Sequence, residues 1–242
     1  MKKSYIIIGV VVIVMLVAIG IYAVINSNSQ SKKQLEENST NIEGTTNTEN
    51  STKENNTENK DEYIQNNQIS NESEENNMYS TGKHHAEIVV KNYGTIVLEL
   101  DADVAPITVE NFANLVNEGF YNGLTFHRII SGFMIQGGDP LGNGTGGSSK
   151  TIKGEFASNG VKNSISHVRG TISMARSSMP NSASSQFFIV HQDSTFLDGQ
   201  YAAFGTVTSG MEVVDKICAD TAVEDDNGTV AKNNQPVIEK IT

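Results

Sequence analysis

The residues best suited to chemistry lie in one short stretch, Phe126 to Asp139. Arg128 stands five residues ahead of an aromatic and thioether pair, Phe133 and Met134. Gln136 follows shortly after. A guanidinium and an amide can donate hydrogen bonds to a peptide group, while Phe and Met can enclose an apolar ring. The stretch lacks the spacing of a metal site and a nucleophile paired with a base, so it points to holding a peptide bond without covalent chemistry.

Three further motifs follow later in the chain. They read Met174-Ala175-Arg176, then Ser185-Gln186-Phe187-Phe188-Ile189, then Phe196-Leu197-Asp198-Gly199. Together with the first stretch, these motifs resemble the cyclophilin family of peptidyl-prolyl cis-trans isomerases. The resemblance covers residues 85–241, which is most of the C-terminal two thirds of the chain.

The resemblance implies a role for each of these positions. Arg128 matches the arginine that acts on the rotating peptide bond. Gln136 matches the amide that binds the substrate backbone, and Ala175 matches a small residue whose main chain pairs with the extended peptide. His127 is expected to act in support, although strand alternation leaves the direction of its side chain open. The proline pocket and the rest of the binding groove are implied at Phe133, Met134, Gln186, Phe188, Phe196, Leu197 and Tyr201.

These residue types suit the rotation of a prolyl bond for a physical reason. Rotation about a peptide bond has a barrier of about 18–20 kcal/mol because the nitrogen lone pair is delocalised into the carbonyl. The twisted transition state localises that lone pair on the nitrogen. A donor aimed at the nitrogen, as expected of Arg128, would bind the transition state more strongly than the ground state. No cofactor and no covalent intermediate are expected.

Two positions depart from the family pattern. Phe196 stands where many members carry tryptophan, which removes an indole N–H donor. The resemblance implies that this donor helps to bind cyclosporin, so we expect cyclosporin binding to be weakened while activity is kept. Tyr201 stands where many members carry histidine, and it still offers an apolar ring with a polar tip.

The chain begins with a candidate membrane segment. Residues 5–25 contain 21 residues without a charge, enough for roughly 30 Å of helix, and Lys2 and Lys3 precede them. This order predicts a single-pass signal anchor that leaves residues 1–4 in the cytoplasm and the C-terminal part outside it. A cleavable signal peptide is the alternative. The length of the apolar segment and the absence of a small-x-small site favour a retained anchor.

Residues 26–82 form a second compositional region, rich in Asn, Ser, Thr and Glu. Residues 26–81 contain four lysines and eleven acidic residues, a net charge of −7. Such a segment cannot bury enough apolar surface to offset the entropy of ordering it. We therefore expect a disordered linker between the anchor and residues 83–242.

Residues 83–242 have the size of one domain, and they contain 11 basic and 17 acidic residues. The net charge of −6 argues against a nucleic-acid surface, which would need a basic stripe. Cys218 is the only cysteine, so an intrachain disulfide is excluded. Its place in a short helical pattern predicts a buried structural thiol.

The pattern of residues 83–242 is mainly β. A hairpin is predicted at residues 86–100, and helices are predicted at Pro106–Gly119 and Met211–Cys218. The resemblance implies a closed eight-stranded antiparallel barrel capped by two helices, whereas the pattern alone leaves a sandwich open. Phe126 and Phe187 are expected to point into the interior. The other strands are predicted at residues 125–130, 133–136, 170–175, 186–190, 202–207 and 236–241.

Several motifs favour ordinary structural roles. The glycine-rich segment Gly142–Gly147 lacks the Gly-Lys-Ser/Thr ending of a phosphate loop and is expected to be a turn-rich loop. Asp225–Gly228 starts like a calcium loop but lacks the ligand at the twelfth position, so a turn is expected. The histidines have no metal-ligand spacing, so no metal site is expected. Surface or capping positions are predicted for His84, His85, His167 and His191.

The sequence thus predicts a membrane-anchored isomerase that acts on X-Pro bonds of unfolded or partly folded exported proteins. Its C-terminal domain would lie outside the cytoplasm. The alternative is a non-catalytic module that binds proline-containing segments and prevents their aggregation. The presence of Arg128 beside the candidate pocket favours the enzyme, because a pure binder does not need a donor for the rotating nitrogen.

Overall fold

The structure is a computed structural model and describes residues 78–242. The predicted anchor, residues 5–25, and the first part of the predicted linker lie outside the described residues. Within residues 78–242, every helix is too short or too polar to cross a bilayer.

Eight strands and two α-helices make up the domain, in good agreement with the predicted order. The helices are α1, Pro106–Asn117, and α2, Met211–Asp220. Proline at the start of α1 suits the first helical turn, where a missing N–H costs nothing. The strands are β1 Lys83–Val90, β2 Gly94–Asp101, β3 Phe126–Ile130, β4 Met134–Gly137, β5 Thr171–Met174, β6 Phe187–Val190, β7 Ala203–Ser209 and β8 Ile238–Ile241.

The strands form one antiparallel sheet in the order β3-β4-β6-β5-β7-β2-β1-β8. Its two edge strands approach each other through an isolated bridge between Thr125 and Val237. The amide of Phe126 also donates to the carbonyl of Pro236 at 2.9 Å. The barrel is therefore nearly closed. We expected a completely closed barrel. The structure instead joins β3 and β8 only over a short stretch, because the two strands lie side by side only at one end.

The interior is filled by apolar side chains from every second position of the strands and from one face of α1. Phe126 and Phe187 are fully buried there, as predicted. Phe112 of α1 contacts Phe187 and Phe204 with ring centroids 5.7 and 5.3 Å apart. Burial of each large aromatic ring contributes about 2–3 kcal/mol. The barrel interior is therefore the main source of stability.

The folded region starts slightly before β1. Tyr79 packs against the interior cluster, and its hydroxyl accepts a hydrogen bond from the amide of Asn117 at 3.1 Å. Its ring also meets His84 edge-on at 5.3 Å. The backbone of Gly82 pairs with Ala102 and bonds the Asp103 side chain. These contacts place part of the segment assigned to the linker against the domain.

Two expectations about polar side chains were wrong. His167 and His191, expected at the surface or at caps, are buried. Burial is tolerated because their ring nitrogens have partners, Asp198 and Ser173 for His167 and Gly132 and Asp215 for His191.

Cys218, expected to be a buried thiol, is only partly buried. It lies beside Val214 and Ile217, which occupy the inner face of α2 and are fully buried. Burial raises the pKa of the Cys218 thiol to about 11.

Candidate active site

A second apolar cluster lies outside the barrel interior, on the other face of β4 and β6. Met134, Phe188, Val190 and Leu197 form its buried part. Side chains along a strand alternate between faces, so Phe188 turns outward where Phe187 turns inward. The structure thus brings together Met134, Phe188 and Leu197, three of the residues predicted for the proline pocket. The partly buried residues packed against them are Ile130, Phe133, Ala175 and Tyr201.

Aromatic rings form the rim of this outer cluster. Phe133 and Phe196 lie with ring centroids 5.6 Å apart, and Phe196 is 68% exposed. Tyr201 meets Phe188 edge-on at 5.9 Å. Arg176 covers the Tyr201 ring, with its guanidinium carbon 4.7 Å from the ring centroid. The rim is therefore apolar and partly open to solvent, so a small ring could enter between these side chains.

Arg128 lies beside the outer cluster and is held by two segments. Its Nε donates to the carbonyl of Asn227 at 2.8 Å, and its Nη2 donates to Oδ1 of the same residue at 3.1 Å. Its Nη1 donates to Oε1 of Gln136 at 3.3 Å. Burial lowers the pKa of Arg128, while Tyr201 and Asp225 oppose this shift. An arginine nevertheless remains charged at any working pH.

A chain of hydrogen bonds between side-chain amides, called here the amide chain, extends from Arg128 through Gln136 to Gln186. It runs along a groove that Ala175 also lines. Nε2 of Gln136 donates to Oε1 of Gln186 at 2.9 Å. Gln186 in turn donates to the carbonyls of Gly144 and Gly146 at 3.1 and 2.7 Å. The amide of Ala175 is used within the fold, where it donates to the carbonyl of Gln186 at 2.9 Å. The chain fixes the orientation of both glutamine side chains.

His127 is buried and has no hydrogen-bond partner for either ring nitrogen. Burial lowers its pKa, Asp139 opposes this shift, and Arg128 and Lys232 add to it. The imidazole therefore favours the neutral form. His127 lines a cavity together with Arg128, and Gln136 and Gly144 also line it.

Sequence reasoning missed residues that support the site. Asn227 belongs to the Asp225–Gly228 turn, which was correctly predicted as a turn, yet its contact with Arg128 spans 99 positions. No local pattern signals such a contact. His167 stacks on Phe188 with centroids 6.0 Å apart and bonds Asp198 at 2.8 Å, so it supports the floor of the outer cluster from below.

A serine, histidine and aspartate chain occurs in the fold but is sealed. His167 lies between Ser173 at 3.0 Å and Asp198 at 2.8 Å. Ser173 is fully buried, so a substrate carbonyl cannot reach its hydroxyl. No group of three or more histidine, cysteine or acidic side chains in residues 78–242 is arranged to hold a metal ion. The arrangement at Arg128 remains suited to binding a peptide beside an apolar pocket.

A comparison with known protein families identifies the family to which the chain belongs. Residues 85–242 match the family described as cyclophilin type peptidyl-prolyl cis-trans isomerase. The chain belongs to this family. It is a cyclophilin-type peptidyl-prolyl cis-trans isomerase, an enzyme that interconverts the cis and trans forms of X-Pro bonds.

Bacterial relatives support the same assignment. The chain is 50% identical over 128 residues to a peptidyl-prolyl cis-trans isomerase of Helicobacter pylori, covering 52% of this chain and 76% of that protein. It is 46% identical over 157 residues to a probable isomerase of Brucella suis, covering 60% of this chain and 76% of the relative. It is 50% identical over 117 residues to isomerase B of Bacillus subtilis, covering 48% and 78% of the two chains.

A solved structure shares the fold. The cyclophilin type isomerase of Cryptosporidium parvum, crystallised in the presence of the dipeptide Ala-Pro, is 32% identical to this chain. The match has a TM-score of 0.58 and covers 66% of this chain and 98% of that chain. The fold of this cyclophilin is therefore that of a protein crystallised with a proline dipeptide.

Proposed function

We propose that Arg128 is the catalytic residue and that it donates a hydrogen bond to the prolyl nitrogen as the bond twists. The observation that carries this proposal is the placement of its guanidinium. Asn227 and Gln136 hold it beside the outer cluster of Met134, Phe188 and Leu197. A donor fixed in this way needs little reorganisation when the substrate nitrogen becomes basic.

The outer cluster would hold the proline ring while the preceding residue rotates. Apolar side chains can bind the ring equally well in both isomers, so they anchor one side of the bond. Phe133, Phe196 and Tyr201 would close over it from the rim. Binding energy gained here lowers the entropic cost of placing the nitrogen against Arg128.

The groove beside Arg128 would bind the substrate main chain. Gln136 and Gln186 present amides whose orientation is already fixed by hydrogen bonds. Ala175 lies between this amide chain and the outer cluster, and a small side chain there leaves room for an extended peptide. His127 would support Arg128 through its neighbouring position on β3.

We further propose that the enzyme acts outside the cytoplasm while anchored by residues 5–25. The support comes from sequence: an uncharged segment long enough to span a bilayer, preceded by Lys2 and Lys3. Its substrates would be exported polypeptides, whose X-Pro bonds isomerise over roughly 10–100 s without help. Membrane fractionation with external protease digestion checks this, because recovery of the uncleaved chain in the soluble fraction would contradict the anchor.

Cyclosporin should bind weakly. Phe196 is exposed at the rim but has no N–H to donate. Phe196→Trp restores such a donor at the same position, and we expect it to lower the inhibition constant several-fold. Inhibition measured side by side for the two proteins checks this expectation. Equal inhibition would show that an indole at position 196 has no part in cyclosporin binding.

The decisive experiment is exchange NMR of an Ala-Pro-Phe peptide with the full chain in detergent and with Arg128→Ala and Arg128→Lys. Loss of a positioned donor typically lowers a rate about 100- to 1000-fold. Arg128→Lys keeps the charge but loses the planar donors, so it should recover little activity. Thermal unfolding serves as the control for folding. A folded Arg128→Ala protein that keeps more than a third of the rate would contradict the proposed mechanism.

The same experiment addresses the non-catalytic alternative from the sequence. A holdase would suppress aggregation of an unfolded client equally well with Arg128 replaced. Family membership supports the isomerase, so we expect exchange to collapse in Arg128→Ala while peptide binding weakens far less.

A further inference from the structure

A cavity of about 620 Å³ lies beside Arg128, and none of the buried residues of the outer cluster lines it. Arg128 and Gln136 are among its lining residues, so it lies next to the groove proposed to bind the substrate main chain. Thr145 lines both this cavity and the groove beside Ala175. A polypeptide bound along the groove would therefore pass the mouth of the cavity.

The cavity lies where a bulge interrupts the pairing between β3 and the segment that closes the barrel, residues 229–237. Thr229 pairs with Arg128 and Val237 pairs with Thr125, so nine residues of one segment face four of β3. Val230 still donates to the carbonyl of His127 at 3.0 Å, and Pro236 accepts from the amide of Phe126 at 2.9 Å. The five residues between them, 231–235, have no counterpart on β3 and loop away from it. His127 is the last residue of β3 to be paired before this loop begins. This geometry explains why the His127 ring faces the cavity and has no partner from the opposing segment.

Most side chains around the cavity already use their hydrogen-bonding groups within the fold. Gln235 donates to the carbonyls of Gly142 and Val230 at 2.9 Å and accepts from Thr125. Asn143 accepts from Thr145, and Asn227 is bound to Arg128. The side-chain oxygens of Gln235, Asn143 and Asn227 are therefore occupied, so the cavity offers a ligand donor groups and few acceptors.

His127 and Lys232 retain unused donors. Lys232 spends one of its three N–H groups on the carbonyl of Leu141 at 3.1 Å. The neutral imidazole of His127 has one N–H without an acceptor, although the residue is only 4% exposed. An unpaired buried donor costs about 1–3 kcal/mol. The cavity therefore lacks an acceptor.

The charges around the cavity favour an anionic acceptor. Arg128 and Lys232 line it with positive charge, and Glu224 is the one acidic residue among its lining residues. The charge of Asp225 also acts on Arg128, but its carboxylate already accepts from the amide and the hydroxyl of Thr229. Asp139 lies near His127, but its carboxylate is already bound by the amides of the adjoining loop, including Asn143 and Gly144. The net negative charge of the domain acts over longer distances and is largely screened beyond about 8 Å at physiological salt.

We propose that this cavity binds the carboxylate of an Asp or Glu side chain located within a few residues of the proline in the substrate. His127 and Lys232 donate to the carboxylate, and the Arg128 charge adds to the attraction. The site makes the enzyme selective for acidic sequences around X-Pro. This proposal rests on the isomerase activity, and it is independent of whether Arg128 donates to the prolyl nitrogen.

The test uses a set of capped alanine peptides with one central proline. Each peptide carries a single Glu or a single Gln at one of the three positions on either side of the proline. Glu and Gln have the same shape, so their ratio isolates the charge. Exchange NMR gives kcat/KM, and titration of the full chain in detergent gives Kd for every peptide.

We expect one position at which Glu exceeds Gln by about three- to tenfold, the range of a partly exposed charge-assisted hydrogen bond. Lys232→Met keeps the aliphatic stem and should reduce this ratio towards one. Glu224→Gln removes the opposing charge and should increase it. Lys240→Met is the matched control, because Lys240 is an exposed lysine of β8 that does not line the cavity. The imidazole nitrogen signals of His127 should shift with the Glu peptide.

Equal values for Glu and Gln at every position would overturn the proposal, as would a preference for Glu that survives in Lys232→Met. If Lys240→Met abolished the preference for Glu as strongly as Lys232→Met, the preference would come from the net charge of the domain and not from the cavity, which would also overturn the proposal. The all-alanine peptide separates the two proposals. Loss of its turnover in Arg128→Ala concerns the mechanism, whereas the Glu to Gln ratio of Kd values concerns the cavity.

Discussion

The barrel interior and the outer cluster are built from the same strands, yet they differ in how they are completed. On β6, Phe187 points into the interior and is surrounded by other rings of the chain. Phe188, the next residue, points into the outer cluster, where one side is open to the groove. On β4, Ile135 likewise belongs to the interior and Met134 to the outer cluster.

The comparison indicates how one sheet can contribute stability on one face and the proposed substrate binding on the other. The interior is closed by the chain itself, so each of its contacts stabilises the fold. The outer cluster leaves part of its apolar surface uncovered, and polar side chains around it hold its rings in place. His167, held by Asp198 and Ser173, supports Phe188 from below, and Arg176 covers Tyr201 from the rim. A pocket that stays open needs such a frame, because its own contacts are incomplete.

The largest effect that would test this comparison comes from neighbouring phenylalanines. Phe187→Ala should reduce the free energy of unfolding by about 3–5 kcal/mol, because it leaves a cavity within packed rings. Phe188→Ala should cost clearly less, because water can enter from the groove, but it should raise KM at least tenfold. Urea unfolding and exchange NMR measure the two quantities. Equal losses of stability for both variants would break the proposed division.

A smaller effect is expected at Asn227, which acts through Arg128. Asn227→Ala removes one of the two hydrogen bonds that the guanidinium donates to this residue, because the backbone carbonyl remains as an acceptor. We expect kcat to fall about three- to tenfold with little change in KM. Asn227→Asp keeps the acceptor oxygen and should recover most of the rate.

Asn234→Ala provides the matched control for Asn227, since Asn234 is also an exposed asparagine but is not among the hydrogen-bond partners of Arg128. Unfolding temperatures should be similar for all three variants, because neither side chain is buried. A fall in kcat with Asn234→Ala as large as with Asn227→Ala would remove the support for a positioning role.

The smallest effect concerns pH. Burial lowers the pKa of both His127 and His167 in the folded chain, whereas an unfolded histidine titrates near about 6.5. As the pH falls below about 6.5, the unfolded chain therefore binds more protons than the folded one, and stability decreases. Above that pH both states are neutral at these residues and the effect is absent.

Urea unfolding between about pH 7.5 and 4.5 measures this slope. The lower limit keeps most carboxylates ionised, because they titrate near about 4 in the unfolded chain. His127→Gln and His167→Gln should each flatten the curve. His85→Gln, which replaces a largely exposed ring, is the control. Stability that rises as the pH falls would contradict the inferred direction.

The strand and helix order could be predicted because it depends on local signals. Alternating β-branched residues, Pro106 at a helix start and glycine at the turns placed the eight strands and both α-helices of residues 78–242 within a few residues, whereas the three short 3-10 helices at 157–159, 195–197 and 232–234 were not predicted. The outer cluster could be anticipated from motifs, since Phe133, Met134 and Phe188 lie within recognisable stretches. How far the implied roles hold depends on the experiments above.

The contacts between distant segments could not be predicted. Arg128 and Asn227 are 99 positions apart, and nothing in a four-residue turn shows which strand it will meet. His167 gave no sign that Asp198 and Ser173 would satisfy its ring, so a surface position was the reasonable expectation. Long-range pairing depends on the complete fold, and side-chain burial follows from that pairing.

Under the two proposals above, the segment between Thr229 and Val237 carries the selection of substrates and Arg128 carries the reaction. The two ends of this segment are fixed to β3, where Val230 donates to the carbonyl of His127 and Pro236 accepts from the amide of Phe126. Residues 231–234 between them are not buried, so they can change in number or type without moving the strands. Arg128 lies on β3, inside the rigid part of the barrel. Related enzymes with this fold could then change their substrate preference by replacing one surface segment, while the residues that carry out isomerisation stay the same.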